Sequence, residues 1–168
     1  RTPILFMAIH TFIRVQKIPT GLQTLWDYIS SPQNLKTITP EYLGFKIKSD
    51  IPEKMYAGQI ILYTVRPLFQ IPLSWCTEIT HVSELEYFVD EQRQGPYKMW
   101  HHQHHLKEIE NGVEMTDIVH YQAPFGLLGE LFTPILVAPK LNEIFDYRFK
   151  KMIGLFGEYT EKESSEVW

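Results

Sequence analysis

Residues 97–122 read YKMWHHQHHLKEIENGVEMTDIVHYQ. Two alternating stretches flank Asn111-Gly112, the strongest short signal for a β-hairpin. With that pair at the tip of a two-residue turn, Glu110 is expected to face Val113, Leu106 to face Asp117, His104 to face Val119 and His102 to face Tyr121. Side chains along a strand alternate between its faces. Trp100, His102, His104 and Leu106 therefore share a face with Val113, Met115, Asp117, Val119 and Tyr121. This face is the more apolar and is expected to look inward. His101, Gln103, His105, Glu114, Thr116 and His120 are expected to look to solvent.

Outward from this hairpin, period-two patterning predicts strands at 44–50, 58–66, 72–82 and 85–92. Turn signals at Pro52, Gly58, Pro67, Pro72 and Gly95-Pro96 separate them. Short links between successive strands predict an antiparallel meander. Residues 10–16 read as a first strand, and Leu22, Leu25, Trp26 and Ile29 recur at helical spacing. Ser31-Pro32 opens a second short helix, because serine caps and proline suits the first helical position. Residues 127–156 read as helix, with Leu141, Ile144, Phe145, Arg148, Phe149, Met152, Ile153 and Phe156 on one stripe. Pro134 and Pro139 are expected to bend or break its first part.

This order predicts an α+β fold. An apolar sheet face must be covered, and the C-terminal helix is the only element long enough to cover it. A curved seven-stranded sheet gripping one helix is expected to leave a pocket between them. One domain over 8–157 is expected, with 1–7 and 158–168 as flexible ends.

Composition narrows the function classes. Apolar residues make up 44% and charged residues 21%, values of an ordinary globular protein, which excludes dominant disorder. A net charge of −4 carries no basic nucleic-acid footprint. Arg148, Lys150 and Lys151 read as cations complementing a helix C-terminus. A single cysteine, Cys76, excludes an intrachain disulfide and fits a reducing, cytoplasmic compartment. No stretch approaches a membrane span, and the opening residues are too short for a signal peptide.

The inward face of the hairpin carries His102, His104 and Asp117. A buried carboxylate needs a partner, and His104 lies on a diagonal from Asp117. Three roles fit: an internal polar network, a polar anchor in an apolar pocket, or an acid–base pair. The same three residues have ligand types suited to zinc or iron, but no cysteine pair or helical His-Glu-x-x-His adds to them. Neither a metal nor a cofactor is expected. Leu73, Trp75, Thr77, Ile79 and His81 share a face of another strand, and Tyr87 and Val89 are expected to pair towards His102 and Trp100. Trp75, Tyr87, Trp100, Tyr121, Phe145 and Phe149, with Tyr63, are expected to line a ring-rich cavity.

Several motifs carry a family likeness. They are Ser31-Pro32-Gln33-Asn34-Leu35 with Ile38-Thr39-Pro40, Phe88-Val89-Asp90-Glu91-Gln92 with Gly95-Pro96-Tyr97, and Trp100-x-His102-x-His104. Met115-Thr116-Asp117-x-Val119-x-Tyr121, Pro124-Phe125-Gly126 with Leu128-Gly129, and Glu143-Ile144-Phe145-Asp146-Tyr147-Arg148 complete the set. On these the chain resembles the SRPBCC superfamily of START-related ligand-binding proteins, and within it a bacterial subgroup labelled polyketide-cyclase-like or cell division inhibitor-like. The resemblance implies a helix-grip fold and an apolar pocket, and transfers no catalytic machinery. The first expectation is a non-enzymatic binder of a small hydrophobic or amphipathic ligand, with His102, His104 and Asp117 orienting its polar end. The alternative is a cyclase, aromatase or hydrolase using His102 or His104 as general base with Asp117 tuning it. A partner-binding sheet face is a third. A monomer or weak homodimer is expected.

Overall fold

Seven antiparallel strands form one sheet in the order β1-β7-β6-β5-β4-β3-β2, in a computed structural model that describes residues 8–66 and 70–161. The strands are β1 (His10–Ile18), β2 (Lys46–Ile47), β3 (Gln59–Val65), β4 (Leu73–Ser83), β5 (Tyr87–Gln94), β6 (Met99–Ile109) and β7 (Gly112–Gln122). Between β1 and β2 lie α1 (Leu22–Ile29), α2 (Pro32–Leu35) and a 3₁₀ turn (Glu41–Leu43). After β7 come α3 (Gly126–Phe132), a π-helical turn (Thr133–Val137) and α4 (Ala138–Phe156). The turn read at Pro67 and the ends 1–7 and 162–168 lie outside the described residues. Next to the latter, the Tyr159 hydroxyl donates to the Glu110 carbonyl at 2.7 Å and Lys17 pairs with Glu161.

The hairpin at 97–122 departs from the expected register by two residues. Ile109 pairs with Gly112, His104 with Asp117, His102 with Val119 and Trp100 with Tyr121. The turn is centred on Glu110-Asn111, with Asn111 in the left-handed region at φ 61°. Gly112 serves a different purpose. A Cβ there would sit 2.3 Å from the Ile18 carbonyl oxygen, so only glycine lets the end of β1 close on β7. A shift of two preserves which side chains share a face.

One other expectation changes. The strand read at 44–50 shortens to Lys46–Ile47, because Gly44 turns left-handed at φ 55° before it. After it, the Ser49 hydroxyl takes the Leu62 amide. The break expected at Pro134 is present: a π-helical turn at Thr133–Val137 interrupts the helix read over 127–156, where proline has no amide to give the helical ladder.

Three buried clusters surround the site, one of them Phe45, Val65 and Trp75. At one end Leu25 and Trp26 of α1 and Met152 of α4 bury Ile18, Val113 and Met115. At the other, Leu141 and Phe145 of α4 cover Val119 and Tyr121. Among the described residues no helix is long and apolar enough to cross a membrane.

Candidate functional site

Adjacent strands bring four ionisable side chains to the middle of the concave face. Two-residue spacing on β6 points His102 and His104 the same way. Asp90 on β5 is registered opposite His102, and Asp117 on β7 opposite His104. Each imidazole therefore lies between two carboxylates. His102 Nε2 is 2.8 Å from Asp117 Oδ1, and its Nδ1 is 3.6 Å from Asp90 Oδ2. His104 Nε2 is 2.7 Å from Asp90 Oδ2, and its Nδ1 is 3.1 Å from Asp117 Oδ1. The two rings pack at 3.7 Å between centroids. From α4, Arg148 brings its guanidinium to 3.9 Å from Asp117.

These distances favour one arrangement of protons. Both nitrogens of His104 face carboxylate oxygens, at 2.7 and 3.1 Å, an arrangement that favours the imidazolium. His102 donates through Nε2 alone and stays neutral. Burial opposes the charge of Asp117, but hydrogen bonds from His102 and His104 outweigh it and hold its carboxyl well below the usual range. Burial likewise opposes charge on Asp90, and the neighbouring His102 and the hydrogen bond from His104 lower it. Burial also opposes charge on His104, yet its hydrogen bonds to Asp117 and Asp90 raise it. For His102, burial and then the charge on His104 prevail and lower it. Two carboxylates, one imidazolium and one guanidinium balance, which is how such a group stays buried.

The cluster forms one wall of a cavity of about 150 Å³. Its other walls are mainly apolar, including Ile61, Ile79, Met115 and Met152. Trp75 and Trp100 meet edge to face at 5.4 Å along one side. Among the described residues, three wall side chains carry a buried polar atom without a hydrogen bond: the Tyr28 hydroxyl and the donors Trp75 Nε1 and Arg148 Nε. A buried donor left unpaired costs about 1–3 kcal/mol, so the latter two mark a place where an acceptor fits.

Of the residues singled out in the sequence, Trp75, Trp100, His102, His104, Asp117 and Tyr63 line this cavity. Tyr121 and Phe145 do not: they pack with Leu141 beyond it, Phe145 reaching the His102 ring at 5.7 Å. Tyr87 stands on the other face of the sheet, stacked on His105 at 5.5 Å. The parity of β5 explains this: Phe88 and Asp90 pair with His104 and His102, so Tyr87 pairs with His105 and Val89 with Gln103. Phe149 lies on the flank of the α4 stripe, where its carbonyl accepts from Gln16 at 3.0 Å; Arg148 takes the central position. His81 is turned out to solvent by a bulge between Ile79 and His81. Asp90 and Arg148 belong to the site and were not among the residues expected there. Their signals were alternation with Phe88 and a charge inside an apolar stripe.

No protein-family model and no curated protein matches this sequence. Solved structures do. A START superfamily protein from Mycobacterium smegmatis aligns with TM-score 0.67 at 12% identity, over 88% of this chain and 97% of that one. Major latex-like protein 151 from Panax ginseng aligns with TM-score 0.64 at 10% identity, over 88% and 97%. Ara h 8.0201 aligns with TM-score 0.62 at 14% identity, over 89% and 98%. The curved sheet, the gripped helix and these likenesses show a helix-grip fold, the fold shared with these structures. At such identities the likeness is one of fold.

Proposed function

We propose that the protein binds a small molecule with an apolar, ring-sized body and a hydrogen-bond-accepting end. The observation that carries this is that two unpartnered donors, Trp75 Nε1 and Arg148 Nε, belong to wall residues of a mainly apolar cavity. A cavity of about 150 Å³ is enough for one aromatic ring. A ring against Trp75 and Trp100, with its acceptor towards Arg148, satisfies both requirements.

The test compares benzoate and acetophenone with toluene, by thermal shift and by quenching of tryptophan fluorescence. The acceptor-bearing rings are expected to bind more tightly than toluene. Trp75→Phe is expected to weaken them about fivefold, the worth of one hydrogen bond of about 1 kcal/mol. Ile79→Phe, which fills the cavity, is expected to abolish binding of all three. Tyr87→Ser, on the outer face, is expected to leave every affinity within twofold. Equal response to all probes in the filled and unfilled proteins would remove the cavity from the explanation.

One observation favours a second, enzymatic reading. His102 Nδ1 has no hydrogen bond within the cluster, standing 3.6 Å from Asp90. It is therefore the nitrogen positioned to take a proton from a substrate in the cavity. On this reading His102→Gln abolishes turnover of an enolisable substrate. Turnover that survives that change rules the reading out.

A further inference from the structure

We infer that Asp90, His102 and His104 form a site for one divalent transition-metal ion, of the zinc, cobalt or iron(II) kind, at the polar end of the cavity. This goes beyond ligand binding and does not depend on it. Donor atoms from these three side chains lie within 4.8 Å of one another. Two imidazoles and one carboxylate are a donor set that suits these ions.

The orientation of the rings is the stronger reason. His102 Nδ1 and His104 Nε2 both face Asp90 Oδ2, at 3.6 and 2.7 Å. The other nitrogen of each ring faces Asp117 Oδ1, at 2.8 and 3.1 Å. One carboxylate thus sits on the ligating side of both rings, and a second, buried carboxylate receives the N–H of both from behind. Metal-binding histidines are characteristically oriented in this way by an outer carboxylate. Asp117 is therefore a positioning residue, not a ligand. The proton that His104 Nε2 shares with Asp90 leaves as the ion enters, and the N–H groups facing Asp117 stay in place.

The backbone makes the site rigid. His102 and His104 are two apart on β6, and Asp90 is registered directly opposite His102 on β5. All three ligands border the cavity, so a fourth coordination position opens into it.

Co²⁺ titration of the full chain, followed by visible absorption, tests the inference. One Co²⁺ per chain is expected, with the intense bands of four- or five-coordinate cobalt, and Zn²⁺ should displace it. His104→Gln and Asp90→Asn, the latter close in shape to the parent, are expected to abolish uptake. Asp117→Asn keeps all three ligands and is expected to weaken it about 10- to 100-fold. Failure of folded wild-type protein to take up one equivalent overturns the site. So does uptake unchanged in a His102→Gln/His104→Gln variant, which would place the ion on other histidines. Ring-probe binding measured in excess chelator keeps the two proposals separate: it survives a failure of the metal site.

Discussion

Asp117→Asn is expected to lower the free energy of unfolding by about 3–5 kcal/mol, the cost of breaking a buried ion pair from one side. The carboxylate is 2% exposed and takes hydrogen bonds from both imidazoles, so its removal leaves the His104 imidazolium beside a neutral amide. The loss is expected to depend on pH with a definite sign. The folded-state pKa of Asp117 lies below its ordinary 3.8, so its stabilisation is complete above about pH 4 and fades as pH falls further. Urea denaturation at a series of pH values should therefore show a gap between wild type and variant that is wide at neutral pH and closes in acid. His104, raised, contributes below its ordinary value of 6.5 and loses that contribution as pH rises through the folded value. His102, lowered, contributes above 6.5 and loses its share as pH falls. The two imidazoles oppose each other near neutrality, which leaves the acid limb to the carboxylates. A gap that widens in acid would contradict the assignment. Replacing the whole group with Asp90→Leu, His102→Leu, His104→Leu, Asp117→Leu and Arg148→Met is expected to recover much of the stability lost by the single change. If that protein were less stable than Asp117→Asn, the cluster would be a structural keystone and its functional reading would lose support.

Gly112→Ala is expected to cost about 2–3 kcal/mol by overpacking. The added methyl would stand 2.3 Å from the Ile18 carbonyl oxygen and 3.2 Å from Pro19 Cα. Both contacts are backbone, so relief requires the end of β1 to part from β7 where Ile18 pairs with Val113. Ile18 and Val113 are almost wholly buried, and parting them opens the core under α1. The neighbouring Asn111→Gly should stay within about 0.5 kcal/mol, because Asn111 already holds a positive φ that glycine accepts freely. Thermal unfolding of the two variants side by side decides the matter. A larger loss at Asn111 than at Gly112 would show that turn conformation, not close approach, is what this dipeptide provides.

Asn111-Gly112 also shows what a single sequence yields and withholds. Strand number, order of elements and the gripping helix were legible, because periods of two and 3.6 and the turn residues all agree. The faces of β6 and β7 were legible as well, since parity survives a register error of an even number of residues. The register itself was not: an asparagine can take the left-handed position and free the following glycine for a close contact made by residues 18 and 19. On β5 the misreading was one of parity, and it concealed Asp90. The side chains there are set by pairing to β6, where Leu106 also gives its amide to the Glu86 carbonyl, and by bulges against β4. Arg148 was hidden by its sequence neighbours Lys150 and Lys151, which suggested a helix-end charge cluster. Its place between Phe145 and Met152 on the apolar stripe locates it in the cavity.

The pairing of β1 with β7 also has a consequence for how the chain is made. His10 pairs with Tyr121 and Ile18 with Val113, partners separated by about a hundred residues. β1 has no edge to join until β7 leaves the ribosome. Such long-range closure belongs to domains that fold in milliseconds to seconds rather than microseconds. Through that interval Phe12 and Ile18 are exposed, and the nascent chain is most open to chaperones and to mispairing with a second copy of itself.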